Sequence, residues 1–359
     1  MSLSDLLDSL PVPILQAPMV GASTEEMALA VGAAGGMGSI GAGALSPEAI
    51  GEAVLRLKSR SPGPFGVNLF VLPPARPDGE VVSRALERLA PWYAQLGAPL
   101  PEAPNDFAPD FEAQLAALTA AAPPVASFTF GVLSREQVDA LHRAGTFVVG
   151  TATTVAEARA WAEVGADGIC AQGFEAGGHR GHFLAETEAS LVGTLPLVAT
   201  IRAAVDLPVV AAGGIMDGRG VAAVLALGAA AAQMGTAFLL SDQTGVSAPW
   251  RAALAGAGDE ATRLTRAFTG RHARGLENRF MRQMRVAEDE VPAYPVQNRL
   301  TQPLRAAAAK AGEADMLSLW AGQGASLARS GEAGEMVRRW WSEAQEAARH
   351  LGRRTRQDT

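Results

Sequence analysis

The chain has 359 residues, of which 48% are hydrophobic and 19% are charged, and its formal net charge is −7. This composition is typical of a globular protein with a large core and argues against extensive disorder. The mild acidic excess gives no electrostatic reason to bind nucleic acid or an anionic membrane surface, so we expect neither as a partner.

The cysteine content and the N-terminus indicate the compartment. Cys170 is the only cysteine, so no intrachain disulfide is expected and a reducing compartment fits. The N-terminal MSLSDLLDSLP has acidic residues where a signal peptide would carry positive charge. Residues 220–241 lack charge but divide into a helical and a β-like half, which predicts core rather than a membrane span. We therefore expect a cytoplasmic protein.

Eight short apolar segments alternate with Ala-rich amphipathic stretches in the first two-thirds of the chain. Most lack period-two alternation, as expected for parallel strands covered on both faces. Eight strand–helix units predict a (β/α)8 TIM barrel, and an open doubly wound sheet is the alternative. The predicted strands are residues 14–19, 36–43, 65–71, 125–131, 146–152, 165–173, 207–214 and 229–239.

The intervening stretches carry helix-start and helix-stop residues. Ser46-Pro47 predicts a cap followed by a first-turn proline. Capping boxes are predicted at three further starts, and glycines are predicted to end three helices. The boxes begin at Ser23, Ser134 and Thr154, and the glycines are Gly145, Gly165 and Gly228.

Two parts of the chain depart from this pattern. The proline-rich residues 73–110 predict an insertion, a loop with some helix, within a barrel that spans residues 1–240. Residues 241–359 predict a smaller, mainly helical appended segment that covers the active site. Within it, residues 336–351 form an amphipathic pattern expected to dock on the barrel, and residues 353–359 are expected to fray.

Polar residues and glycines follow several predicted strands where those strands end. In a (β/α)8 barrel the carboxyl ends of the strands form the working face, and the loops after strands seven and eight recurrently bind phosphate. Glycines ahead of a helix capped by Asp217 let backbone N–H groups approach an anion. These residues predict a site for a phosphorylated substrate or flavin mononucleotide, and they are Asn68, Gln172, Gly213, Gly214, Gln233, Met234, Gly235 and Thr236.

The stretch CAQGFEAGGHRGH places His179 just after the sixth predicted strand, beside Gly177 and Gly178. An imidazole there can take a proton or donate a hydrogen bond to a developing anion, and the sequence leaves both roles open. Metal binding is the weaker interpretation. His182 and Glu175 lie nearby, but no helix is predicted there and no further cluster completes a site, so we expect no metal.

Several motifs in chain order resemble the bacterial class of nitronate monooxygenases, formerly called 2-nitropropane dioxygenases. They span nearly all of residues 10–330, and the EAGGH loop is the most specific. The motifs are PILQAPM, GVNLF, QGFEAGGHRGH, VVAAGGI, AQMGTAFL, AYPVQNRLT and LWAGQG.

This resemblance implies noncovalently bound FMN, with His179 as the catalytic histidine. It places one group of residues around the flavin ring, namely Met19, Asn68, Gln172 and Gly177, and another around its ribityl and phosphate end, namely Gly213, Gly214, Gln233, Met234, Gly235 and Thr236. Tyr294 and Gln323 would close the substrate pocket.

The implied activity converts alkyl nitronates, including propionate 3-nitronate, and nitroalkanes to carbonyl compounds and nitrite with O2, in a monomer or homodimer. The first alternative is an NAD(P)H-dependent FMN reductase of the same barrel type, a quinone reductase or an enoyl-acyl-carrier-protein reductase. A non-redox barrel for a sugar phosphate would usually need a lysine or paired carboxylates at the strand ends, yet the first 250 residues contain only Lys58. A non-catalytic flavin-binding protein is the third alternative.

Overall fold

A computed structural model describes residues 1–354 and contains an eight-stranded parallel sheet. Its strands are β1 (Ile14–Gln16), β2 (Gly38–Gly41), β3 (Phe65–Phe70), β4 (Val125–Thr129), β5 (Phe147–Ala152), β6 (Gly168–Gln172), β8 (Val209–Ala212) and β9 (Ala231–Met234). They are arranged in the order β1-β9-β8-β6-β5-β4-β3-β2. The two outer strands also meet, because Gln16 N donates to Met37 O at 2.9 Å and Met37 N to Ile14 O at 3.1 Å. The sheet is therefore a barrel rather than an open sheet, as predicted.

All eight predicted strands are present, and each is shorter than its prediction. The eighth was predicted over 229–239 but ends at Met234, because Gly235 leaves the extended region (φ −111, ψ −76) and a 3-10 helix follows at Thr236–Phe238. Apolar residues just beyond some strands, such as Phe130, Phe238 and Leu239, are buried outside the sheet, so hydrophobicity alone does not mark where pairing stops.

Thirteen α-helices and five 3-10 helices occur within residues 1–354. The α-helices are α1 (Leu3–Asp8), α2 (Glu25–Ala33), α3 (Pro47–Arg60), α4 (Gly79–Gln95), α5 (Phe111–Ala121), α6 (Arg135–Arg143), α7 (Val155–Val164), α8 (Thr194–Arg202), α9 (Gly218–Ala226), α10 (Ala248–Ala255), α11 (Arg279–Met284), α12 (Val296–Ala311) and α13 (Ala333–Arg354). The 3-10 helices are Glu188–Ser190, Thr236–Phe238, Arg285–Glu290, Ala314–Met316 and Ala325–Leu327.

Most predicted helix ends are correct, but two of the three capping boxes are not. Ser46 and Ser134 cap α3 and α6 as expected, and α6 has the full box. Thr24 rather than Ser23 caps α2, because Ser23 Oγ instead accepts from Met19 N at 2.7 Å. Thr154 caps α7, but the box is incomplete because the carboxylate of Glu157 is occupied elsewhere.

The proline-rich stretch contains α4, whose Tyr93 packs against α12. Tyr93 Oη donates to Leu300 O at 2.6 Å and accepts from Leu304 N at 3.1 Å. The Tyr93 hydroxyl thus bonds two backbone groups of α12 on either side of Pro303's turn of the helix. This contact joins the insertion to the appended segment.

The appended segment adds two strands that the sequence pattern did not predict, β10 (Thr262–Thr265) and β11 (Ala273–Leu276). They form an antiparallel sheet with a short strand, β7 (Gly178–His179), so the segment pairs directly with the loop after β6. The amphipathic helix α13 docks against α9, where a Cβ on Gly218 would lie 2.1 Å from Trp340 O.

Two expectations concern the chain ends and the membrane. Arg353 and Arg354 are helical, contrary to the predicted fraying there, and residues 355–359 lie outside the described residues. Among the helices of residues 1–354, none combines the length and hydrophobicity required to cross a bilayer.

Candidate active site

A cavity of about 280 Å³ lies at the carboxyl ends of the barrel strands. Its wall includes eleven of the thirteen residues that the sequence proposed for the site, contributed by the barrel and by the appended segment. They are Met19, Asn68, Gln172, Gly177, His179, Gly213, Gly214, Gln233, Gly235, Thr236 and Tyr294. Positions distant in sequence thus meet in one place, as the barrel geometry requires.

The other two proposed residues do not line the cavity. Met234 is fully buried in the hydrophobic core, and its carbonyl oxygen accepts from Ala17 N at 2.8 Å. Gln323 is exposed, and its backbone N–H donates to Glu175 O at 2.9 Å. The glycines on either side of Gln323 form the wall instead, so the segment is at the site but its amide side chain is not.

One end of the cavity is built from bare backbone after β8 and β9. Gly213 and Gly214 have φ of +118 and +71, the left-handed region that favours glycine. Among residues 1–354, the N–H groups of Gly214, Gly235 and Thr236 donate to no protein acceptor. Unpaired N–H groups that converge at strand ends are the donors that bind a phosphate in this fold.

Two glycines of the EAGGH loop, Gly177 and Gly178, line the cavity and are each required by the backbone around them. A Cβ on Gly177 would lie 2.5 Å from Gly322 N, so this glycine lets the appended segment approach the loop. Gly178 has φ +72 and open space around it, so it is required for its conformation. Gly322 N also donates to Thr236 Oγ1 at 2.9 Å, which holds the segment over the backbone after β9.

Gln172 is held by the residues that follow it. Its Oε1 accepts from Arg180 Nη1 at 3.1 Å and from Gly181 N at 2.8 Å, and its Nε2 donates to His179 O at 3.0 Å. Arg180 is fully buried and also donates to Gly173 O and Ser190 O. One N–H of the Gln172 amide therefore remains for a ligand, and the loop has a fixed shape.

Asn68 lies across the barrel at the end of β3. Its Nδ2 donates to Ser127 O and Oγ at 3.1 and 3.0 Å and to Thr129 Oγ1 at 3.3 Å. In this orientation of the amide, Oδ1 is the atom left to accept from a ligand.

His179 lies in the opposite wall, among aromatic rings. Its ring centroid is 5.3 Å from that of Tyr294, 5.5 Å from Trp320 and 5.7 Å from Phe130. Its Nε2 is 2.9 Å from Thr269 Oγ1. Burial, together with the positive charges of Arg271 and Arg305, lowers its pKa to about 3, so the imidazole is neutral at physiological pH.

Arg271 and Arg305, two half-buried arginines near His179, have no carboxylate partner within residues 1–354. Arg305 lines the cavity and donates to Ser318 Oγ and to the oxygens of Asn298, while its Nε is buried without a partner. Arg271 lies over the ring of Phe130, 4.3 Å from its centroid, and donates to backbone oxygens. Burial lowers both pKa values to about 10, so both side chains stay charged. A cation in the cavity wall without a counter-ion, as Arg305 is, indicates a site for anions.

A sequence profile of the family described as nitronate monooxygenase matches residues 3–343. The chain belongs to the nitronate monooxygenase family. It is 39% identical to a probable nitronate monooxygenase from Staphylococcus aureus strain Newman, over 89% of this chain and 90% of that protein. The predicted assignment is confirmed: the protein is an enzyme of a flavin-dependent oxidoreductase family, and membership supports the oxidation of nitronates or nitroalkanes.

Solved structures agree with this assignment of the nitronate monooxygenase fold. A nitroalkane oxidase from Streptomyces ansochromogenes aligns with a TM-score of 0.89 and 45% identity, over 96% of this chain and 99% of that one. FabK from Thermotoga maritima aligns with a TM-score of 0.75 and 29% identity, over 98% of each chain.

Several residues of the cavity wall were missed by the sequence reasoning. Phe130 belongs to a predicted strand, but nothing in the pattern indicated its φ of +81, which is rare for a bulky residue and typical of functional sites. Asn298 and Trp320 lie inside motifs that carry the family resemblance, so that signal was present and unused. Trp250 carried no signal, although its buried Nε1 has no partner and the residue lines the cavity.

A metal centre is not supported by the described residues. Within residues 1–354, no group of three or more His, Cys, Asp and Glu side chains is arranged to hold an ion. His182 instead contacts Thr187 Oγ1 at 3.3 Å, and the same hydroxyl lies 2.9 Å from His272 Nδ1.

Proposed function

We propose that this protein is an FMN-dependent nitronate monooxygenase that converts alkyl nitronates and nitroalkanes to carbonyl compounds and nitrite with consumption of O2. The observation that carries the proposal is a neutral His179 in the wall of a cavity whose other end is the bare backbone after β8 and β9. An anion cradle and an unprotonated imidazole in one cavity suit this reaction.

The residues present fit FMN. The unpaired N–H groups of Gly214, Gly235 and Thr236 would hold its phosphate. Asn68 Oδ1, the remaining N–H of Gln172 and the Nε1 of Trp250 are polar atoms of wall residues that would contact its other polar groups. When bound, the flavin supplies the redox chemistry, accepting electrons from the substrate and returning them to O2.

The chain's own side chains bind the substrate and move its proton. For a neutral nitroalkane, His179 would take the proton from the α-carbon, and the electron pair would remain on the substrate as a nitronate. The positive charges of Arg271 and Arg305 would stabilise that anion. The rings of Phe130, Tyr294 and Trp320 would keep water away.

A second anionic group on the substrate is favoured by Arg305. Its guanidinium lines the cavity with only neutral partners, which suits a carboxylate at the end of the substrate away from the nitronate. Propionate 3-nitronate has both groups, and we propose it as a substrate. Smaller nitronates without a carboxylate would bind more weakly.

The decisive test begins with the purified protein and its released cofactor. We expect a flavin spectrum, FMN on chromatography, and O2 uptake with nitrite release when propionate 3-nitronate or ethyl nitronate is added. Under anaerobic conditions, a nitronate should bleach the flavin without NADH. Bleaching by NADH alone, with no reaction of nitronates, would favour the NAD(P)H-dependent reductase, and a colourless protein would contradict both proposals.

A further inference from the structure

Thr269 contacts the ring of His179 but does not line the cavity. It belongs to the turn that leads into β11 and is 1% exposed. Its Oγ1 is 2.9 Å from His179 Nε2, although the two residues are 90 positions apart in sequence. The hydroxyl that contacts the imidazole therefore comes from the appended segment rather than from the barrel.

The hydrogen bonds of Thr269 determine which atom donates in this contact. Thr269 Oγ1 lies 3.1 Å from Arg271 O, and no other donor among residues 1–354 bonds to that carbonyl. Arg271 N donates to the same hydroxyl at 3.5 Å. A hydroxyl has one hydrogen, and a carbonyl can only accept, so the hydrogen of Thr269 is directed to Arg271 O. In the contact with His179, Oγ1 then accepts and Nε2 carries the hydrogen.

A neutral imidazole has one N–H, so a hydrogen on Nε2 leaves a lone pair on Nδ1. In the described part of the chain Nδ1 forms no hydrogen bond, and it is not among the buried polar atoms without partners. His179 lines the cavity, so Nδ1 is the ring nitrogen left open to a ligand.

We propose that Thr269 is a positioning residue that fixes the Nε2–H tautomer of His179 and thereby makes Nδ1 the proton acceptor. This inference rests on the proposed function for its chemical consequence. The proton of the α-carbon moves to Nδ1, and the electron pair of that C–H bond stays on the substrate, which becomes a nitronate anion. The imidazolium that forms donates from Nδ1 to the new anion and from Nε2 to Thr269.

The opposite tautomer would not support this step. If Thr269 donated to Nε2, the carbonyl of Arg271 would lose its hydrogen bond and Nδ1–H would point to the ligand as a donor. Such a ring could hold a nitronate but could not deprotonate a neutral nitroalkane. The backbone of His179 is fixed separately, by pairing with Ala273 in the small sheet, so the hydroxyl acts on the ring rather than on the loop.

The test uses the holoenzyme with ¹⁵N-labelled histidine and two variants, Thr269→Val and Thr269→Ser. Two-bond ¹H–¹⁵N correlation spectra report the tautomer, and His179→Gln assigns the resonances. We expect a protonated Nε2 and an unprotonated Nδ1 in the wild type and in Thr269→Ser. In Thr269→Val we expect Nδ1–H to appear.

Kinetics supply the second readout. We expect Thr269→Val to lower kcat/KM for neutral nitroethane about tenfold, the loss of one hydrogen bond, and to change kcat/KM for ethyl nitronate about twofold or less. Thr269→Ser should recover most of the nitroethane rate. A general packing defect would lower kcat/KM equally for both substrates.

A wild-type His179 that carries its hydrogen on Nδ1 would overturn the proposal, and this measurement needs no variant that might fail to fold. Retention of the wild-type tautomer and nitroethane rate in Thr269→Val would also overturn it. If the wild type oxidised no nitro compound, the proposed function would be wrong. The spectra would still show which tautomer His179 adopts.

Discussion

The guanidinium of Arg305 donates to both oxygens of Asn298, at 3.0 Å to the backbone carbonyl and 2.7 Å to the side chain, and meets no carboxylate in the described residues. Both residues lie on α12 and line the cavity. Since their contacts are neutral, the charge of Arg305 is available to an anionic ligand.

Replacing this charge should change substrate preference. We expect Arg305→Met to lower kcat/KM for propionate 3-nitronate about 10- to 100-fold, the range for a hydrogen bond to a charged group, while ethyl nitronate changes about threefold or less. Arg305→Lys, which keeps the charge, should lie between the wild type and Arg305→Met. Oxygen uptake over a range of both substrates gives the two ratios. Equal losses for the two nitronates would show that Arg305 acts on the fold rather than on a carboxylate.

Removing the imidazole should separate two classes of substrate. We expect His179→Gln to retain bound flavin and to lose about 100-fold or more of kcat/KM for neutral nitroalkanes, because no base remains at the cavity wall. Preformed nitronates need no deprotonation, so kcat/KM for them should fall less. His182→Gln is the matched control, since His182 lies in the same loop but does not line the cavity. Wild-type turnover of nitroethane by His179→Gln would remove the base assignment.

How much of this site the sequence predicts depends on the origin of each residue. The polar strand ends of the barrel, such as Asn68 and Gln172, were predictable because parallel strands bring their carboxyl ends together wherever they lie in sequence. In the appended segment, Tyr294 was anticipated through the family resemblance, but other contributions were not. Thr269 contacts His179, and Arg305 lines the cavity, through packing between distant parts of the chain, which no periodicity encodes.

The small sheet shows the same limit. β11 pairs with Gly178–His179 across more than ninety positions, and its four residues have no alternation that distinguishes a strand from a loop. The sequence placed Gly177 and Gly178 beside His179, and both line the cavity. It could not show that Gly177 also admits the backbone of Gly322, because a glycine that admits a ligand and one that admits another backbone have the same sequence signature.

Gly177 should accordingly be intolerant of even one methyl group. Its Cβ would lie 2.5 Å from Gly322 N, a backbone atom that cannot move away without shifting the appended segment. We expect Gly177→Ala to lower the free energy of unfolding by about 1–3 kcal/mol and to weaken flavin retention. Chemical denaturation and the flavin absorbance of the dialysed protein measure the two effects.

Gly51→Ala is the matched control for that substitution. Gly51 lies within α3, and a Cβ at this position would meet only open space, so alanine should stabilise the helix by about 0.5–1 kcal/mol. Equal stability changes in the two variants would show that the backbone contact at Gly322 is not tight.

Glu157 should stabilise the loop that follows His179. Its carboxylate is fully buried and accepts from Thr153 N and Oγ1, each at 2.7 Å, and from Phe183 N and Leu184 N at 2.6 and 3.1 Å. An amide has only one accepting oxygen, so Glu157→Gln would set an NH2 group against N–H or O–H donors. We expect a loss of about 1–3 kcal/mol in the free energy of unfolding.

Glu163→Gln tests whether that loss is local. Glu163 lies on the same helix, α7, but is exposed, and its substitution should leave the unfolding midpoint in urea almost unchanged. If Glu157→Gln also kept the urea midpoint of the wild type, the four donors would have found other acceptors.

Stability should depend on pH through His179. Burial first, and then the charges of Arg271 and Arg305, lower its pKa to about 3 in the folded protein, whereas an unfolded histidine titrates near 6.5. Between these values the unfolded chain binds a proton that the folded chain does not. Acid therefore favours unfolding, and the contribution is absent above about pH 6.5 and grows as the pH falls towards 3, by up to about 1.4 kcal/mol per unit.

Urea unfolding at pH 7.5, 6.5 and 5.5 measures this dependence against His179→Gln and His179→Asn, whose side chains do not titrate. The titration of other groups lowers the stability of all three proteins in acid. The comparison is therefore between the slopes of the free energy of unfolding against pH. We expect both variants to lose less stability than the wild type between pH 6.5 and 5.5, because only the wild type must keep an imidazole unprotonated under the charges of Arg271 and Arg305. Parallel slopes would mean that the pKa of His179 is the same in the folded and unfolded protein. Burial and the charges of Arg271 and Arg305 would then not disfavour the imidazolium in the cavity.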